Sequence, residues 1–106
     1  MHKLILELKR VIPPKVKNIN REYREMFGAD MIRPMRDLSL TYLRMTEGDV
    51  LPEEGAKAML LDLSAILDTI SLFNELRLWD VVTCIRISQI VIALRQAIKA
   101  RILSKC

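Results

Sequence analysis

81-VVTCIRISQIVIALRQAIKARIL-103 holds no acidic residue, no glycine and no proline, and it is apolar on more than one side while carrying Arg86, Arg95, Lys99 and Arg101. On a helix of about 3.6 residues per turn, Cys84, Ile87, Val91, Leu94, Ile98 and Ile102 fall on one stripe. Ile85 and Ile92 lie to one side of that stripe, and Ile90, Ala93 and Ala97 to another. One core cannot cover all of this surface. The stretch predicts a helix that packs inside its own bundle through the stripe and meets a second subunit through Ile85 and Ile92, or through Ile90, Ala93 and Ala97.

The rest of the composition suits helices. A chain of 106 residues makes one domain, 1–106. Half of it is apolar, only 5% is aromatic and glycine is scarce, which favours rods packed through Leu, Ile, Met and Ala over a sheet rich in turns. All-α is the fold class expected.

Upstream of the last helix, 74-NELRLWD-80 has no Gly or Pro, so a break is placed there from helix length and from Asp80 as an N-cap. From Glu53 the positions Ala56, Met59 or Leu60, Leu63, Ile66 or Leu67, Ile70 and Phe73 keep helical spacing without a fault. Glu53 and Glu54 sit in the first turn, where the helix dipole favours acids. The clearest loop is 46-TEGDVLP-52, with Gly48 and Asp49 as turn residues and Pro52 opening the next helix.

Nearer the start, 2-HKLILELKRVI-12 reads as a short helix ended by Pro13 and Pro14. From Pro14 a second helix runs to about Thr46. Its stripe begins as Val16, Ile19, Tyr23 and Met26 or Phe27, and resumes out of phase as Met31, Met35, Leu38, Tyr42 and Met45. The slip is placed at Gly28 to Pro34, as a kink in one helix or as a break with Asp30 capping a new one; the kinked helix is preferred. Three long segments and one short one predict an up-and-down four-helix bundle.

Charge is distributed in blocks. Residues 1–46 hold ten Lys and Arg against five acids, 47–80 two against eight, and 81–106 five against none. Antiparallel packing would let the acidic middle neutralise some neighbours and leave basic faces elsewhere, which suits an anionic partner. Lys17, Arg21 and Arg24 share a face of the second segment, Arg36 and Arg44 follow beyond the slip, and Arg95 and Lys99 form an i, i+4 pair. Cations on rigid rods are what sequence-independent phosphate binding needs, and no base-reading motif accompanies them.

No catalytic set is legible. The one histidine, His2, stands at the start, so no serine has an evident base partner. His2, Cys84 and Cys106 lack metal-ligand spacing, and there is no phosphate-cradling glycine loop. Arg86, Gln89, Arg95 and Gln96 have the chemistry that small helical enzymes of the chorismate mutase type use around a dianion, but helical angles send Arg86 and Arg95 to opposite sides. A non-enzyme without metal or cofactor is expected. The two cysteines make no disulfide framework and no secretory leader pattern opens the chain, which predicts a cytoplasmic location. The window from Val81 to Leu94, interrupted by Arg86 and followed by Arg95, predicts no membrane span.

The order of features resembles a known family. The junction Val11-Ile12-Pro13-Pro14-Lys15, the run Arg24-Glu25-Met26-Phe27, the short polar loop, the Ala/Leu-rich helix from Ala56, and the last-helix runs Ile87-Ser88-Gln89-Ile90 and Arg95-Gln96-Ala97-Ile98-Lys99-Ala100 carry the likeness. Together they resemble the accessory variability determinant (Avd) proteins of diversity-generating retroelements and the four-helix-bundle proteins encoded in ribosomal RNA intervening sequences. The resemblance implies a four-helix protomer in a homo-oligomeric ring, typically a pentamer, that binds RNA or DNA and partners the retroelement's reverse transcriptase without catalysis of its own. Arg95, Gln96 and Lys99 sit on a matching run; this chain has Ala97 and Ile98 where the family often has Gly and Trp. Lys17, Arg21, Arg24, Arg36, Arg44, Arg86, Arg95, Gln96, Lys99 and Arg101 are the expected nucleic-acid and partner contacts. The alternative is a helical oligomeric adaptor that binds protein through its surplus apolar surface and no nucleic acid.

Overall fold

The computed structural model describes residues 1–103, with side chains through Arg101. The proposed place of Ile102 on the last stripe, and Cys106, lie outside the described residues. Four helices follow one another: α1 (His2–Lys17), α2 (Arg21–Glu47), α3 (Pro52–Glu75) and α4 (Val81–Leu103). Each packs against the two helices adjacent to it in the cycle α1, α2, α3, α4 and back to α1, and among the described residues neither diagonal pair brings Cα atoms within 8 Å. This is the expected all-α four-helix bundle, a rod of 44 × 23 × 19 Å.

The core is what the stripes of α3 and α4 require. Ala56, Met59, Leu63, Ile66, Ile70 and Phe73 are buried from α3, and Cys84, Ile87, Val91, Leu94 and Ile98 from α4. Each large side chain taken fully from water contributes about 1.5–3 kcal/mol. The window Val81–Arg101 has the length and the mean hydropathy, 1.5, of a bilayer span, a property that the shorter window to Leu94 conceals. In the bundle its most apolar arc is covered by α1 and α3.

α1 departs from the sequence expectation. The helix does not end at Pro13 but continues through Pro13 and Pro14 to Lys17, and the next begins only at Arg21. The prolines leave the carbonyls of Lys9 and Arg10 without their helical donors. Lys9, Arg10 and Pro14 are exposed and Pro13 is half-buried. Continuing the helix carries Val16 into the core, and Ile19 follows it in the connection.

Each carbonyl of the last turn of α1 has a donor. Asn18 N–H reaches Pro14 O at 3.2 Å and Ile19 N–H reaches Val16 O at 3.1 Å. The Trp79 indole N–H donates to Lys15 O at 3.1 Å, and Arg24 Nη1 donates to Lys17 O at 2.9 Å. Asn20 then caps α2 by accepting from Glu22 N–H at 3.0 Å.

One helix runs through Gly28 to Pro34, as preferred, with no new start at Asp30, and the apparent phase slip there has its source in the longer α1. Val16 belongs to α1 and Ile19 to the connection, so they share no register with α2. From Phe27 onward Met31, Met35, Leu38, Tyr42 and Met45 follow one another in phase along a single unbroken helix. Tyr23 and Met26, placed on the stripe from sequence, are exposed. Pro34 withholds the donor that Asp30 O would receive, and the Thr69 hydroxyl of α3, bonded to Ala65 O at 2.8 Å, lies 3.4 Å from that oxygen.

The other connections are stopped by paired hydrogen bonds. Gly48, at φ 84°, closes α2, with its N–H on Met45 O and the Asp49 N–H on Arg44 O. The same 5→2 and 6→1 bonds close α3: Arg77 N–H to Asn74 O at 3.1 Å and Leu78 N–H to Phe73 O at 2.8 Å. Here the left-handed residue is Arg77, at φ 58°, where glycine is usual. Asp80 caps α4 as expected, its carboxylate accepting from Thr83 N–H at 2.7 Å.

Candidate nucleic-acid interface

Helix by helix, the charges sort by position in the bundle. α1 carries five cations against one acid and α4 four against none, whereas α2 has five of each and α3 one against five. Because α1 and α4 are neighbours, one long side of the rod is basic and the side made by α2 and α3 is neutral to acidic. The blocks visible along the chain become a charge separation across it.

The expected contact residues divide among these sides. Arg86, Gln96, Lys99 and Arg101 are exposed on α4, and Arg95 is half-buried. Arg86 and Arg95 point to opposite sides of α4, as helical spacing requires. Lys17 stands on α1 and not on the second helix, which corrects the face proposed for Lys17, Arg21 and Arg24. Arg21 pairs with Glu25 at 3.2 Å on the surface of α2. Arg24 is engaged in closing α1 through the Lys17 carbonyl, so structural work accounts for its position. Arg36 and Arg44 are exposed on the outer face of α2.

Sequence reasoning missed the cations of the first helix. Lys3, Arg10 and Lys17 recur every seven residues and form an exposed line on α1, with Lys9 and Lys15 also exposed. That heptad spacing was legible, but ending the helix at Pro13 separated Lys17 from the other two. Arg33 on α2 is likewise exposed.

The expected subunit contacts also divide. Ile90 is 7% exposed and belongs to the bundle's own core, which corrects its assignment to an interface. Ala93 is exposed and Ala97 half-buried. Ile85 and Ile92 are 52% and 45% exposed, and they border an apolar groove between α3 and α4 with Ile70, Val81, Cys84 and Ser88.

Titratable groups follow their surroundings. Hydrogen bonds from the Thr83 hydroxyl and N–H hold the Asp80 carboxyl below its usual range, and Lys15 adds to this. Burial, with Asp80 nearby, pushes the Cys84 thiol up. Burial, and the Asp37 carboxylate facing it from α2, raise Asp62 to about 6. Among the described residues no three His, Cys, Asp or Glu side chains cluster as a metal site requires.

Comparison with protein-family models, with curated proteins and with solved structures finds no match to this chain.

Proposed function

We propose that this protein is a non-catalytic nucleic-acid-binding bundle that works as the accessory subunit of a retroelement reverse transcriptase. The observation that supports phosphate binding is the adjacency of α1 and α4, two helices that together hold nine cations against a single acid, Glu7. Such a surface attracts a polyanion by neutralising phosphates and releasing their counterions. The partnership with a transcriptase, and assembly as a pentameric ring, rest on the resemblance of the chain to the Avd family. Self-association is assigned to the edge of α4 that bears Ile85 and Ile92, since Ile90 is consumed by the core.

The test is a titration of RNA, of DNA and of a cognate transcriptase at two salt concentrations. Each phosphate contact on a duplex adds about 0.9 to the slope of log affinity against log salt, so binding should weaken steeply as salt rises. Absence of binding to all three at low salt overturns the proposal.

The exposed Ile85 and Ile92 also support a second reading, an adaptor that holds another protein in the α3–α4 groove. In that case association persists in high salt and nucleic acid leaves it unchanged.

A further inference from the structure

We propose that the basic side formed by α1 and α4 takes double-stranded rather than single-stranded nucleic acid, an inference that rests on the phosphate-binding reading above. Surfaces that hold single strands combine cations with exposed aromatic rings, on which bases stack for about 1–3 kcal/mol each. Among the described residues neither α1 nor α4 contains a Phe, Tyr or Trp. The ring of His2 is stacked on Tyr42 of α2, with centroids 6.0 Å apart. Phe73 and Trp79 are buried edge to face against one another, and Tyr23 stacks with Phe27 on α2. The basic side therefore has no platform for unpaired bases, and its affinity must come from phosphates.

Phosphate density then selects the ligand. A duplex presents one negative charge per about 1.7 Å of its axis, and each contact releases more counterion than on a single strand, about 0.9 against 0.7. The arrangement of the cations also suits a stiff ligand. Lys3, Arg10 and Lys17 form a line with steps of about 10 Å on α1. Arg86 projects from α4, whose axis runs alongside at about 8–10 Å. Ala93, Ala97 and Ala100 share the side of α4 that carries Arg86, and their short side chains let a rigid polyphosphate lie close to both helices. RNA and DNA duplexes share this chemistry.

Fluorescence anisotropy of the full chain with labelled RNA and DNA duplexes, and with their separated strands, tests the inference at low and at fourfold higher salt. At least one duplex should bind about tenfold or more tightly than its own strands, with the steeper salt slope. Single strands that bind as tightly as both duplexes overturn the duplex inference and leave phosphate binding standing. No binding by any of the ligands overturns both. Lys3→Glu with Arg10→Glu should lower duplex affinity by about tenfold or more, while Lys57→Glu at an exposed position of α3 should change it less than about threefold. Both sites are exposed, and retained helical circular dichroism separates lost binding from lost fold. An equal loss in the α3 variant overturns the assignment to the α1–α4 side.

Discussion

The indole N–H of Trp79 and the carbonyl of Lys15, 3.1 Å apart, tie the α3–α4 connection to the last turn of α1. Trp79 is buried and packs edge to face on Phe73, with ring centroids 4.9 Å apart. The bond gives Lys15 O the donor that its own helix, ending two residues later, cannot supply. Trp79→Phe keeps an aromatic ring but leaves that oxygen without its partner. Chemical denaturation should show a loss of about 1–2 kcal/mol, and an unchanged midpoint would rule out this role for the indole.

Arg77 occupies a left-handed backbone position, φ 58°, that glycine adopts without steric cost. Arg77→Gly should raise stability by about 1 kcal/mol in the same denaturation experiment. Loss of stability on this substitution would mean that the Arg77 side chain contributes more than its backbone strain costs.

The Asp62 carboxyl, raised from 3.8 to about 6 by burial and by Asp37, gives a pH prediction with a definite sign. The folded chain binds this proton more tightly than the unfolded chain does. Stability should therefore fall as pH rises from about 4 to about 6 and stay lower above that window. Asp62→Asn should remove the fall, adding about 1 kcal/mol at pH 7 once solvent screening of this partly exposed group is allowed for. At pH 3.5 the variant and the parent should melt alike. Asp80 works in the opposite sense: its lowered carboxyl stabilises the fold above its unfolded pKa, and that contribution is lost as pH falls through the folded value.

Ile90 and Ile92 separate folding from assembly. Ile90→Glu places a charge in the core and should destabilise the chain by at least about 3 kcal/mol. Ile92→Glu, at a half-exposed position, should leave the melting transition nearly unchanged at low protein concentration. In light scattering behind a sizing column it should shift an oligomer toward a single chain of about 12 kDa. Parent protein that already elutes as a monomer would reject the self-association edge.

Much of the bundle was legible in the sequence because its signals are local. The stripe from Ala56 to Phe73 repeats within one helix, and the Gly48 turn and the Asp80 cap need only residues a few positions away. The α4 stripe was equally clear. Its side residues were ambiguous because spacing shows that Ile90 points away from Ile85 and Ile92 without showing which direction holds a neighbouring helix. The basic side was partly legible as charge blocks. Its composition from α1 and α4 depended on which helices became neighbours and on Lys17 remaining in the first helix.

The amino-acid order alone determined four amphipathic or apolar helical segments, their polar connections and an excess of cations at both ends of the chain. Tertiary structure decided where the first helix stops. Two prolines disfavour a helix by about 3 kcal/mol each in isolation. Continuing through them buries Val16, leads Ile19 into the core, and brings the last-turn carbonyls to Arg24 and to Trp79, a residue 64 positions away. A local penalty lost to burial and to donors that exist only once α2 and the α3–α4 connection are in place. The same docking moved the apparent fault at Gly28 to the corner at Asn18–Asn20, and it set the two most basic helices, α1 and α4, side by side.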